Sequence, residues 1–354
     1  MNWESNVRKV VPYVPGEQPS GKVIKLNTNE NPYPPAPGVE ALLKNYDVSV
    51  LRKYPQPDCR TLVEALAAKY NVKPSQVFVG VGSDDVLAMA FLTFFNSDKS
   101  ILFPDITYSF YDVWASLFKI PFEQIPLDDD FKIVTSDYKA ENGGVVIANP
   151  NAPTGVFMGL DGIREILDAN RDVVCIVDEA YVDFGAESAL SLLPEYDNLL
   201  VIQTFSKSRS MAGLRIGYAI GSENMIKYLN DVKYSFNSYT MNALTLELGA
   251  EAVRDDEYFK ATCEKIIKTR ETLKVQLREL GFDFQDSKTN FIFAKHKSVS
   301  AEFIFTELKK RNIFVRYWNK PRISEYLRIT VGTDEECDTL VANLKEIIAQ
   351  GEKK

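Results

Sequence analysis

Residues 198–218 read NLLVIQTFSKSRSMAGLRIGY. The run Leu199–Ile202 is continuously apolar and too short for a helix. Such a run fits a strand covered on both faces. It ends in a loop of small polar residues that carries Lys207 between two serines, with Arg215 eight positions later. The same pattern recurs on both sides of this stretch. VFVGVG (77–82), SILFP (100–104), GVVIAN (144–149) and DVVCIVD (172–178) read as buried strands. DCRTLVEALAAKY (58–70) and SDDVLAMAFLTFF (83–95) have helical period. The alternation predicts an α/β protein whose large domain has a mostly parallel sheet between helices.

From about residue 250 the texture changes. A long charged helix (254–280) precedes NFIFAK, a helix near 300–311, IFVRYW, YLRITVG and a final helix. Strands and helices mixed at this spacing predict a smaller α+β domain. Residues 10–38 are rich in Pro, Gly and Asn and read as an extended arm. The expected division is an arm over 1–30, packing with the small domain or a partner subunit. A large domain over 31–248 and a small domain over 249–354 follow.

Composition excludes several classes. The 354 residues are 45% hydrophobic and 25% charged, with a net charge of −8. No basic block exists to neutralise phosphates, so nucleic acid is not an expected partner. The beginning, MNWESNVRKV, has no apolar signal core, and VLAMAFLTFF (86–95) is too short to span a bilayer. The expectation is a cytoplasmic protein with no membrane contact. Four cysteines, at 59, 175, 263 and 337, form no C-x-x-C pair and read as reduced thiols. The single histidine, His296, sits in a charged stretch that reads as a solvated loop. A catalytic triad or a histidine-ligated metal site therefore has no support, and no metal is expected. Any proton transfer falls to Lys, Tyr, Asp or Glu.

In open α/β sheets ligands bind beyond the carboxyl ends of the strands. Ser83 and Asp84 follow the 77–82 strand at a helix N-terminus, where free N–H groups suit a phosphate. An ordinary helix cap would look the same. ANPNAPTG (148–155) is either a rigid turn or a loop that presents an amide to a ligand. Asp178 closes a run apolar enough to be buried, where a carboxylate needs a cation. That cation is a structural Arg or Lys, or a protonated ring nitrogen on a ligand. Tyr181 lies three residues on. A partly desolvated Lys207 is a nucleophile towards aldehydes. Thr204, Ser206 and Arg215 are placed to hold a phosphate. An aldehyde trap, a phosphate cradle and a counter-charge for a ring nitrogen are what pyridoxal 5′-phosphate needs.

The chain resembles the fold-type I, class-II pyridoxal-phosphate-dependent aminotransferases over nearly its whole length. The motifs that carry the resemblance are PYVPG, LNTNENPYPP, RKYPQPD, GVGSDD, NPNAPTG, DEAYVDF, TFSKSRSMAGLRIGY and YLRITVGT, in order. NENPY, YPQP and LRITVG favour the branch that moves an amino group between L-histidinol phosphate and 2-oxoglutarate in histidine synthesis. The resemblance implies that Lys207 bonds the cofactor aldehyde and shuttles a proton. It implies that Asp178 pairs with the pyridinium nitrogen, Tyr181 binds the ring hydroxyl oxygen, and Tyr108 stacks on the ring. The amides of Ser83 and Asp84, with Thr204, Ser206 and Arg215, would hold the phosphate. Tyr54 would reach that phosphate from the other subunit of a homodimer. Tyr13, Asn29, Arg316 and Arg328 match substrate-contacting positions. The family commonly has a second Asn where this chain has Ala152. Either Tyr181 suffices there or Asn151 turns inward.

Arg316, Arg322 and Arg328 each offer a fork that accepts phosphate or carboxylate equally well. One pair can therefore serve histidinol phosphate and glutamate in turn. An aromatic amino acid could use an arginine too, and each arginine could equally be a surface ion pair. Transamination of aromatic amino acids and decarboxylation of threonine phosphate in cobalamin synthesis are the competing enzyme readings. The same fold also serves as an effector domain in transcription regulators, but those carry a DNA-binding domain for which this acidic chain leaves no room.

Overall fold

The structure, a computed structural model, describes residues 3–352. Residues 1–2 and 353–354, at the ends of the expected arm and small domain, lie outside the described residues. The arm runs from a 3₁₀ turn, Trp3–Asn6, to strand β1 (Ile24–Lys25).

The large sheet takes β2 (Val77–Val81), β3 (Ile101–Pro104), β4 (Phe122–Ile125), β5 (Gly144–Ala148), β6 (Cys175–Asp178), β7 (Leu199–Thr204) and β8 (Ile216–Ile220). Their spatial order is β2-β8-β7-β6-β5-β3-β4. β8 runs antiparallel to both its neighbours, and the other pairs are parallel. Every residue of β5 to β8 is buried. The pleat sends neighbouring residues to opposite layers. Ile176 joins Val86, Phe91 and Ile202 on one side, whereas Cys175 and Val177 join Ile163 and Leu167 on the other. Both faces are covered by helices, so these strands show no polar alternation. Each large aliphatic side chain buried this way contributes about 1.5–3 kcal/mol.

The small domain adds β9 (Phe282–Phe284), β10 (Phe291–His296), β11 (Ile313–Phe314), β12 (Arg316–Tyr317) and β13 (Leu327–Thr330). Four of them form an antiparallel sheet ordered β12-β13-β10-β9. β11 instead pairs in parallel with β1, with Ile24 opposite Ile313. The arm is thereby stitched to the small domain. Helices Asp256–Glu279, Ala301–Lys310 and Asp334–Gly351 complete it around Phe291, Ile304 and Leu344.

Two expectations are corrected. A boundary at 249 would cut helix Ala243–Arg254. Its Leu246, Leu248, Ala250 and Val253 pack with Leu62, Leu66 and Ile216 under the large sheet. That helix ends before Asp255, whose side chain caps the next helix at Tyr258 N. His296 is not on a solvated loop: it ends β10, is buried, and meets Leu280 O through Nε2 at 2.8 Å. Its Nδ1 accepts from Val299 N. The surrounding lysines mark the exposed face of that strand end, and alone they concealed the buried imidazole.

Candidate active site

β5, β6 and β7 deliver their last residues, Ala148, Asp178 and Thr204, to one cavity of about 110 Å³, and the turn after β2 reaches it too. β8 enters the same place from the opposite direction, starting just after Arg215. The close fit of β8 on the turn after β2 explains two glycines. Gly82 has φ +81, and a Cβ on it would strike the Arg215 guanidinium. A Cβ on Gly217 would sit 2.2 Å from Gly82 C and Ser83 N. The helix Gly82–Phe94 therefore presents its N-terminus at the cavity, and Ser83 and Asp84 line it.

Asp178 lines the wall and is 5% exposed. Burial pushes its carboxyl up to about 6, against hydrogen bonds from Tyr111 and Ala180 N that pull it down. Tyr111 donates to Oδ2 at 2.8 Å. No lysine or arginine is bonded to Asp178 among the described residues, so the structural cation that sequence reasoning left open is not there. Glu179, next in the chain, is engaged elsewhere. It accepts from Ser188, Ala189 N and Gln203, and burial pushes it up to about 7.

Lys207 reaches the cavity from the loop after β7, and its Nζ donates to Thr28 O at 3.0 Å. That loop is tied down on both sides of the lysine. Ser208 donates to Asp183 at 2.5 Å, and Asn31 donates to Ser208 O at 3.1 Å. Thr204 and Ser206 are buried and bonded to each other at 3.1 Å. Arg215 pairs with Asp84 at 2.9 Å. The other Asp84 oxygen accepts from Tyr108 at 2.7 Å. Asp84 thus contributes a side chain as well as the backbone amide that its sequence position suggested.

Tyr181 borders this cavity and a second one of about 160 Å³. Asn29 donates to its hydroxyl at 2.9 Å. Tyr13, Asn29, Arg316 and Arg328 line the second cavity, as do Lys207 and Tyr108. Trp318, which sequence reasoning passed over, stands 5.2 Å from each of the two guanidinium carbons. Tyr13 stacks on Phe110 at 4.2 Å. Arg322 is committed to Asp105 at 2.9 Å and is not part of this wall.

One expected residue is not brought in. Asn151 is 3% exposed, and its amide is spent on Ile106 O, Thr154 and Thr107. It holds the loop, whereas Ala152 faces both cavities. Tyr54, expected to act in a second copy, is 82% exposed, and its ring lies tilted against Tyr239 at 4.7 Å. Tyr111 is the residue that sequence reasoning missed outright. Its only signal was a tyrosine where helix Tyr111–Phe118 turns its apolar face inward.

The arrangement can hold a dianion at the Arg215 end, a cationic ring against Asp178 and a carbonyl carbon at Lys207. Comparison with known proteins agrees with that chemistry. Histidinol-phosphate aminotransferase of Lactococcus lactis subsp. cremoris (strain MG1363) is 50% identical over 100% of this chain and 99% of its own. That of Brachyspira hyodysenteriae (strain ATCC 49526 / WA1) is 52% identical over 96% and 97%. The crystal structure of histidinol-phosphate aminotransferase from Sinorhizobium meliloti in complex with pyridoxal-5′-phosphate superposes with a TM-score of 0.84. It covers 93% of this chain and 92% of that one at 22% identity, a likeness of fold. The model of aminotransferase class I and II matches residues 21–344, and the chain belongs to that family.

Proposed function

We propose that this chain is a histidinol-phosphate aminotransferase. It uses pyridoxal 5′-phosphate to move an amino group between L-histidinol phosphate and 2-oxoglutarate. The observation that carries this reading is the meeting of Lys207, Asp178 and Arg215 in one cavity that adjoins a second cavity with two arginines. The full-length relatives at about half identity support the choice of substrates.

The residues present fit the cofactor. Asp178 is a buried carboxylate without a protein cation, which suits a protonated ring nitrogen. Arg215, Thr204, Ser206 and the helix N-terminus at Ser83 suit a phosphate dianion. When bound, the cofactor supplies an electron sink next to the substrate carbon. Lys207 Nζ would take the proton from that carbon and return it to the cofactor's former aldehyde carbon. Thr28 O holds this amine in reach. Asp178 would set its own negative charge against the protonated ring nitrogen. Tyr181, steadied by Asn29, serves the ring hydroxyl oxygen, and Tyr108 covers the ring. Asn151 is too committed to its own loop for that contact, so Tyr181 alone fills the place left by Ala152. Arg316 and Arg328 hold the phosphate of one substrate and a carboxylate of the other.

The working unit is a homodimer in the cytoplasm. Tyr54, exposed like Val48 and Leu51, reaches the cofactor phosphate of the second copy. Four free cysteines support a reducing compartment. Among the described residues no helix is long and apolar enough to cross a membrane.

Borohydride reduction followed by peptide mapping should place a pyridoxyl group on Lys207, and Lys207→Ala should lose turnover. Retained turnover in that variant would exclude the mechanism. A panel of histidinol phosphate, phenylalanine and threonine phosphate should show the first as the preferred donor. Faster turnover of phenylalanine, or release of carbon dioxide from threonine phosphate, would reassign the substrate.

A further inference from the structure

Each oxygen of the Asp178 carboxylate has one protein partner. Oδ1 accepts from Ala180 N at 3.2 Å, and Oδ2 accepts from the Tyr111 hydroxyl at 2.8 Å. Tyr111 is fully buried, at 0% exposure. The edges of Phe103 and Tyr108 hold its ring at 5.8 and 5.7 Å. Phe91 and Trp114 close round it. A phenylalanine would fill the same space, so packing alone does not call for a hydroxyl here. Burial, with Asp178 adjacent, pushes the Tyr111 phenol well above its ordinary value. The proton therefore stays on the phenol, and Tyr111 is a fixed donor aimed at one carboxylate oxygen.

We infer that Tyr111 is a positioning residue for the reaction: its hydroxyl keeps Asp178 ionised and turned into the cavity as a counter-charge for a cationic ring. The need is plain from the surroundings. Burial favours the neutral acid, and Asp84 across the cavity adds a like charge. Lys207 and Arg215 line the same cavity, but Arg215 is paired with Asp84 and Lys207 donates to Thr28 O. Tyr108 is bonded to Asp84 and Tyr181 to Asn29. Glu179 is satisfied by Ser188, Ala189 N and Gln203. The donors left to stabilise the Asp178 charge are Tyr111 and one backbone amide.

The inference rests on the cofactor reading above, yet its first readout needs no cofactor. Stripped full-length protein, carrying ¹³C at aspartate carboxyl and tyrosine hydroxyl-bearing carbons, is titrated by NMR. Asp178→Asn assigns the Asp178 signal. Tyr111→Phe should raise the Asp178 midpoint by about one unit or more, the scale of a lost hydrogen bond to a charged group. In the wild type the Tyr111 ring carbon should titrate with the Asp178 midpoint, a check that holds even if the variant does not fold. Below both midpoints the variant should bind pyridoxal 5′-phosphate on the order of tenfold more weakly, the scale of one unit. That gap should close as pH rises past its Asp178 midpoint.

An unchanged Asp178 midpoint in Tyr111→Phe would overturn the inference. So would a Tyr111 carbon blind to Asp178, or an affinity gap equal at every pH. Failure of both proteins to take up the cofactor, with the coupled titration intact, would sink the cofactor reading and leave the Tyr111–Asp178 couple standing.

Discussion

Asp178 and Glu179 are consecutive and both buried, yet their bonds lie in different neighbourhoods. The first borders the cavity, whereas the second is closed in by Ser188, Ala189 N and Gln203. Glu179 makes a prediction about pH. Its carboxyl rises from 4.5 unfolded to about 7 in the fold. A raised acid favours the native state while protonated. Its contribution is therefore complete below about 4.5 and is lost as pH climbs through about 7. Stability of the wild type relative to Glu179→Gln should fall by at most ~1.4 kcal/mol per pH unit inside that window. Urea denaturation at stepped pH measures it, and a difference that stays flat with pH would refute the burial argument. At this scale Asp178 was legible in the sequence, since a polar residue at the end of an unbroken apolar run is conspicuous, and Lys207 and Arg215 stood out as cations in the loop between two such runs. The roles of Asn151 and Tyr111 were not. An amide in a Pro-rich loop looks the same whether it faces a ligand or its own backbone, and a tyrosine on an apolar helix face looks like core.

The strands and helices follow the sequence pattern closely, because burial on both faces requires runs such as Val145–Ile147 and Leu199–Ile202. The contact of β8 with the turn after β2 is a matter of backbone approach instead. Gly217→Ala would put a Cβ 2.2 Å from that turn. Backbone cannot yield as a side-chain tip can, so the variant should lose about 1–3 kcal/mol by thermal unfolding. It should also hold pyridoxal 5′-phosphate more weakly, because the displaced turn carries Ser83 and Asp84. Wild-type stability and affinity together would contradict the packing shown here. The end of the large domain was not legible. Helix Ala243–Arg254 carries Glu247, Glu251 and Arg254 on the same period as the charged helix that follows. Which layer its apolar face joins is a tertiary fact.

Across the whole molecule the two domains share buried polar bonds. Arg270 is the largest fully buried side chain. Its Nη1 donates to Phe184 O, just after β6, at 2.7 Å, and to Thr289 O, just before β10, at 2.9 Å. Arg270→Met keeps the length and leaves both carbonyls without that donor. The expected loss is about 2–5 kcal/mol, with the small domain unfolding at lower urea than the large one. A single transition at the wild-type midpoint would show that Arg270 does not join the domains. The arm likewise ties across the chain, through β1 on β11 and through Tyr13 on Phe110.

The chain by itself determined the succession of buried strands, the helices between them and the polar residues that end β6 and β7. These follow from local spacing, since an element covered on both sides admits only apolar residues until it leaves the layer. Tertiary structure alone decided which polar atoms meet. Tyr111 finds Asp178 across 67 positions, Asp84 finds Arg215 across 131, and Lys207 finds Thr28 across 179. Hydrogen bonds depend on placement to a fraction of an ångström. No periodicity along the chain carries that information.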